Sequence, residues 1–251
     1  MKIILSPAKK MRPDTDTLPA RQDLIFPEKT GEILREMRSR SFEELKELWG
    51  CSEKIARQSY EQLQRIGLED LRTPALLAYE GIAYQYMAPS VFSDEEFSYL
   101  QEHLRILSAL YGVLRPMDGV HPYRLEMQAK LRVGMKKDLY EFWGREIFEA
   151  VCDEERLIIN LASKEYAGIV ERYLGKEDRF ISCVFYEDTG RKPVQKSVYS
   201  KMARGEMVRY MAEHRIENPE ELKAFDRMGY RFLEERSSER EYLFVRSGEK
   251  E

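Results

Sequence analysis

Residues 156–162 read Arg-Leu-Ile-Ile-Asn-Leu-Ala, a nearly continuous apolar run between charged neighbours. A strand with one wet face alternates polar and apolar side chains, whereas a run without alternation suits a strand covered on both faces. Such a strand needs helices above and below it, so a layered α/β fold is expected: mixed α+β, with a central mixed sheet surrounded by helices. Of the 251 residues 43% are hydrophobic, enough to fill a core of that kind. No internal repeat or Gly/Ser/Pro linker divides the chain. A single domain over 1–246 with a flexible tail at 247–251 follows.

Other strand candidates are 2–5, 75–79, 180–186, 195–199 and 241–246, the last alternating as an edge or half-buried strand would. Glu187-Asp188-Thr189-Gly190 is a good turn for a hairpin joining the third and fourth of these. Helix starts are marked more sharply. Ser41 and Ser93 are each followed three residues on by glutamate, the capping-box pattern, and Asn218-Pro219 pairs a cap with proline at the first helical position. After Ser93, the spacing of Phe97, Leu100, Leu104, Leu107 and Tyr111 predicts one helix face ending near Gly112.

No apolar run nears the roughly 18–20 residues that span a bilayer. The N-terminal segment reaches Lys9-Lys10 too soon for a signal-peptide core, so no membrane association and a cytoplasmic location are expected. Cys51, Cys152 and Cys183 are an odd, scattered set, and neither they nor His103, His121 and His214 fall at metal-ligand spacing. No disulfide, metal or cofactor is expected. Phosphate loops, dinucleotide fingerprints and nucleophile elbows are also missing, which leaves catalysis undecided and leans against it.

Four constellations could carry chemistry. The two strand ends Leu5-Ser6-Pro7-Ala8-Lys9 and Asn160-Leu161-Ala162-Ser163-Lys164 share one grammar, an apolar strand opening into serine and lysine. Ligands of open α/β sheets bind at such ends, making Ser6, Asn160 and Ser163 pocket candidates, although a serine cap followed by a surface lysine reads the same. Residues 45–56 match the pattern of a helix–hairpin–helix, with Gly50 for the left-handed turn, Ser52 to cap the second helix, and Lys54 beside free N–H groups that can hold a phosphate. An ordinary αα-hairpin is the alternative there, since Trp49 replaces the usual proline and Glu43, Glu44, Glu47 and Glu53 crowd the turn. Near 197–210, Lys201 and Arg204 precede Gly205, whose helical cost of about 1 kcal/mol asks for a close backbone or ligand. Finally, 103–137 holds seven basic and two acidic residues in a chain of net charge −4. That segment suits either a polyanion site or a solvated basic face.

Taken in order, these motifs resemble the YaaA-like peroxide stress protein family. The residues are Leu5-Ser6-Pro7-Ala8-Lys9; Gly81 with Tyr84; the 103–116 block ending Leu-Ser-Ala-Leu-Tyr-Gly-Val-Leu-Arg-Pro; Pro122-Tyr123-Arg124-Leu125-Glu126-Met127; Lys137-Asp138-Leu139-Tyr140 with Phe142-Trp143-Gly144; Ile159-Asn160-Leu161-Ala162-Ser163 with Glu165-Tyr166; and Ala203-Arg204-Gly205. The resemblance implies one α/β domain with a helix–hairpin–helix element beside a cationic cleft. It also implies sequence-independent affinity for duplex or bulged DNA, and protection from hydrogen peroxide through lowered unincorporated iron. On the same basis the cleft candidates are Lys9, Arg105, Arg115, Arg124, Lys164, Lys201 and Arg204, in a monomer. One departure stands out: some relatives carry Lys-Gly-Asp where this chain has Glu80-Gly81-Ile82. An enzyme acting on a nucleobase or nucleoside held at Ser6, Lys9, Asn160 and Ser163 is the alternative function.

Overall fold

In the computed structural model, which describes residues 1–13, 18–21, 23–69, 73–188, 190 and 193–248, seven strands gather into one sheet. In chain order the strands are β1 (Lys2–Leu5), β2 (Lys10–Met11), β3 (Thr73–Pro74), β4 (Tyr79–Glu80), β5 (Leu104–Ser108), β6 (Gly112–Leu114), β7 (Gly119–Val120), β8 (Leu157–Asn160), β9 (Arg179–Asp188), β10 (Arg231–Phe232) and β11 (Glu241–Ser247). The α-helices are α1 (Pro27–Arg38), α2 (Phe42–Trp49), α3 (Glu53–Arg65), α4 (Ala75–Ala78), α5 (Ile82–Met87), α6 (Asp94–His103), α7 (Leu139–Trp143), α8 (Glu146–Val151), α9 (Lys164–Glu171) and α10 (Ser197–His214).

The sheet order is β10-β11-β9-β8-β1-β5-β6. Its five inner strands run parallel, and the short outer strands β10 and β6 run antiparallel to their neighbours. Successive side chains of a strand face opposite sides, so burial of Ile3, Ile4 and Leu5 in β1 and of all four residues of β8 means that both faces are covered. The helix-covered strand expected at 156–162 is therefore present as Leu157–Asn160. β2 with β4, and β3 with β7, form two separate two-stranded ribbons.

Both serine capping boxes form, with Ser41 accepting from the Glu44 N–H and Ser93 from the Glu96 N–H. Asn218 also caps, but it opens a 3-10 helix, Pro219–Ala224.

Three local expectations are overturned. Of the 75–79 segment only Tyr79 is in a strand, β4: Ala-Leu-Leu-Ala makes the single turn α4, wholly buried, and an all-apolar run that short carries no period to separate helix from strand. The helix after Ser93 stops at His103, and Leu104 and Leu107 belong to β5, which fills the slot beside β1. Their three-and-four spacing is a coincidence of a buried strand's apolar run. The 195–199 segment is helical from Ser197, and β9 pairs in parallel with β8 and β11 on its two edges. Of the expected hairpin only one bridge, Glu187 to Val194, survives, and Thr189 lies outside the described residues. The 241–246 strand exists as β11, one position in from the edge.

Gly205 sits in the middle of α10 because this helix crosses α5 at backbone distance. A Cβ there would overlap the Ala83 carbonyl oxygen and reach 3.0 Å from the Met87 nitrogen. Gly81, at the start of α5, is under a similar constraint from Ala8, whose Cβ would lie 2.7 Å away. Gly205→Ala is expected to lower stability by about 1–3 kcal/mol through overpacking, although alanine is the better helix former by roughly 1 kcal/mol. Urea unfolding measures this, and an unchanged midpoint would contradict the close crossing.

Candidate functional site at the ends of β1 and β8

The chain leaves β1 toward β5 on one side of the sheet, and leaves β8 toward β9 on the other. Adjacent parallel strands whose connections part in this way leave a crevice beyond their C-terminal ends. The two ends meeting there are 6–9 and 161–164, the paired grammar of the sequence. Ser163 donates its N–H to Ser6 Oγ at 2.8 Å, the two hydroxyls are 3.2 Å apart, and Leu161 N–H reaches the Ile4 carbonyl at 2.9 Å. Tyr84, buried on α5, donates its hydroxyl to the Ser6 carbonyl at 3.0 Å. The floor of the crevice is thus tied on three sides.

Above it lies a cavity of about 470 Å3 with apolar walls from Pro7, Ile82, Ala83, Leu125 and Leu161. Its polar groups include Ser6, Ser163, Lys201 and Arg204, together with Lys9, Glu126 and Glu165. Asn160 lies beneath: its amide donates to Ser182 Oγ at 3.0 Å and its Oδ1 accepts the Ala162 N–H at 2.9 Å, so it shapes the loop.

Arg204 is the unusual member. It is half-buried, its Nε is shut away without a partner, and its guanidinium has no hydrogen bond or ion pair with any described residue. Burial holds its pKa below the ordinary arginine value, with the Cys183 thiol giving slight relief. A desolvated, uncompensated cation facing a cavity is a receptor for an anion. Lys201, one turn earlier on α10, is exposed at the same opening.

Of the remaining cations of the expected cleft, Lys9 lines the cavity and the other four do not. Lys9 is exposed and holds Glu126 at 2.7 Å. Lys164 is exposed as the first residue of α9 but does not line the cavity. Arg124 is half-buried with an unpartnered Nε, also outside the lining. Arg105 turns back to the Gln101 and Leu104 carbonyls, at 3.2 and 2.8 Å. Arg115 grips the fully buried Asp118 at 2.8 Å and the Asp23 carbonyl at 2.7 Å. Both are engaged within the fold, Arg105 by backbone carbonyls and Arg115 by Asp118 and the Asp23 carbonyl.

At 42–65, α2 and α3 form an αα-hairpin with Gly50 left-handed at φ 52°. Ser52 occupies the cap position of α3, but its hydroxyl makes no capping bond, against expectation. Glu53 holds both Lys46, at 3.4 Å, and Arg57, at 2.6 Å, and Lys54 stays exposed. Trp49, in the usual proline position, is buried in the core. A groove of about 690 Å3 runs between this hairpin and residues 126–130, and the Lys9–Glu126 pair borders both groove and cavity.

The three carboxylates of the cavity, Glu80, Glu126 and Glu165, were not nominated from the sequence as site residues. Burial pushes the Glu165 carboxyl up, the Gln128 N–H at 3.2 Å partly offsets this, and the charge of Glu126 adds to the rise. As an acidic residue in the first turn of α9, Glu165 reads in sequence as a helix-dipole partner. At the rim, Glu80 is held by Lys10 at 2.6 Å and Arg12 at 3.5 Å, so its charge is neutralised locally. Among the described residues, no group of three His, Cys, Asp or Glu side chains is placed to hold a metal, and no helix is long and apolar enough to cross a membrane.

The fold and its site define an α/β protein with a cavity of mixed charge at the switch point of a mostly parallel sheet. Over residues 1–236 the chain matches the family model described as peroxide stress protein YaaA. It is 56% identical over 246 residues to a UPF0246 protein of Agathobacter rectalis, covering 98% of this chain and 99% of that one. A UPF0246 protein of Lachnoclostridium phytofermentans is 47% identical over 246 residues, and one of Pediococcus pentosaceus 45% identical over 247. The chain belongs to the YaaA peroxide stress protein family.

Asp118 gives a test of the Arg115 brace. Burial pushes its carboxyl up to about 6, with the Arg115 backbone N–H and guanidinium opposing. A carboxyl raised in the folded state contributes stability that is complete below its unfolded value and is lost as pH rises through the folded one. Between pH 4 and 6 the wild type should therefore lose stability relative to Asp118→Asn, whose profile lacks this titration. Parallel melting curves for the two across that range would refute the assignment.

Proposed function

We propose that this protein is a DNA-binding member of the peroxide stress response. On this reading it holds duplex or bulged DNA without regard to sequence, through the cavity mouth and the groove beside the α2–α3 hairpin. The observation that carries the reading is Arg204, a half-buried guanidinium without a described partner, at a cavity bordering that groove through Lys9 and Glu126. An uncompensated arginine suits phosphate because its planar fork matches phosphate oxygens. Lys201 at the mouth and Lys54 and the free N–H groups of α3 in the hairpin supply further contacts. Protection from peroxide by lowering free intracellular iron rests on the family resemblance, as does a monomeric state, while a cytoplasmic location rests on the sequence pattern alone.

A second reading, an enzyme acting on a nucleobase or nucleoside, is favoured by one observation. The cavity is walled by apolar residues and contains a carboxyl, Glu165, pushed up by burial, which suits proton transfer. The exposure of Lys9 speaks against a lysine-based mechanism there.

Gel shifts decide the DNA reading. Affinity for duplex and bulged DNA should fall by at least tenfold between about 50 and 200 mM salt. Lys201→Gln should reduce the salt slope by about 1. Combining Lys201→Glu with Arg204→Glu should abolish binding, with a thermal melt verifying that the variant is folded. Absence of binding at about 50 mM salt, or binding indifferent to these substitutions, would remove the basis of the proposal.

A further inference from the structure

We infer that the strand-end cavity is a receptor for a single nucleotide, its phosphate on Arg204 and Lys201 and its base among the apolar walls. This deepens the nucleic-acid reading above and rests on it only for the source of the nucleotide. Three properties point to this ligand class. First, about 470 Å3 falls within the range of roughly 300–1,000 Å3 usual for small-molecule sites. A base-paired stack cannot enter such a space; one unit taken out of the stack can.

Second, the lining is amphipathic in a particular way. The unpartnered cation comes from α10, the apolar walls from Pro7, Ile82, Ala83, Leu125 and Leu161, and three carboxylates from Glu80, Glu126 and Glu165. Inorganic phosphate would satisfy the guanidinium and leave the apolar walls wet. A fatty acid would satisfy cation and walls but carries no N–H donor to share Glu126 with Lys9 or Glu165 with the Gln128 N–H. A nucleotide has an anion, a flat apolar body and donor N–H groups on its base, and so complements all three.

Third, the cavity is built to keep its shape. Gly205 lets α10 lie against the backbone of α5, which sets Arg204 beside Ala83, and Gly81 lets α5 start against Ala8. Ser6, Ser163 and Tyr84 fix the floor by hydrogen bonds of 2.8–3.2 Å. A preformed site avoids part of the ordering cost of binding.

The test uses the full chain, a deoxynucleoside monophosphate, inorganic phosphate, and duplexes with or without a single unpaired 2-aminopurine. Calorimetry should show the monophosphate binding at least tenfold more tightly than inorganic phosphate. Arg204→Gln should weaken the monophosphate at least tenfold, and Arg204→Lys should restore part of the loss. Ile82→Trp, which fills the cavity and leaves every cation in place, should abolish monophosphate binding. If the nucleotide comes from DNA, the same variant removes the preference for the bulged duplex and the 2-aminopurine fluorescence change, and leaves plain duplex binding intact. If it comes from the free pool, bulge preference is unaffected by Ile82→Trp while monophosphate binding is lost. A wild type that binds no monophosphate, or an Arg204→Gln protein with a native melt that binds it unchanged, overturns the inference. Duplex gel shifts in the same samples then report on DNA binding separately.

Discussion

A four-residue strand with no water on either face organises this molecule. Ile3, Ile4 and Leu5 are fully or almost fully buried, a burial that stabilises by roughly 2 kcal/mol per side chain. It can be had only if β1 has a strand on each side and a layer on each face. β5 and β8 take the two sides, reached by connections that part in opposite directions, and that parting opens the crevice between β1 and β8. The site is therefore a consequence of where this buried strand must lie. The same strand that anchors the core delivers Ser6 to the cavity.

The second constraint is the crossing of α10 over α5. A side chain at 205 would hold the two helices apart, and Arg204 would then ride away from the cavity. The pairing of a helix-weakening glycine with an adjacent arginine in Ala203-Arg204-Gly205 thus has one cause. Close approach positions the cation, and the same packing removes water from around it. Desolvation leaves Arg204 with its charge and without a described counterion, a state that binding of an anion relieves.

How much of this was legible in the chain depended on whether a signal was local. Capping boxes at Ser41 and Ser93 involve four residues each and read correctly. The two strand ends with Ser6 and Ser163 also read correctly, because the apolar run and its polar stop are contiguous. What failed was periodicity continued across an element boundary: Leu104 and Leu107 kept helical spacing while the chain had already turned into β5. The charge surplus at 103–137 is hard to read for another reason. Arg115 is needed by the buried Asp118 and Arg105 by two carbonyls, and only the fold reveals which cations are already engaged. Conversely Arg204 drew notice from its glycine neighbour, and Glu165 looked like an ordinary first-turn acid.

Membership of a peroxide stress family raises the question of thiol chemistry, and two of the three cysteines bear on it. Reaction with peroxide proceeds through the thiolate, so a reactive cysteine sits where a positive field lowers its pKa. Cys183 does have Arg204 nearby, but burial outweighs that charge and pushes the thiol up to about 12. Cys152 is raised as well, by burial and by Asp178 beside it. At neutral pH neither presents an appreciable thiolate. The positive field of Arg204 therefore acts toward the cavity and not on the thiol behind it. At these two positions burial disfavours the thiolate that reaction with peroxide requires.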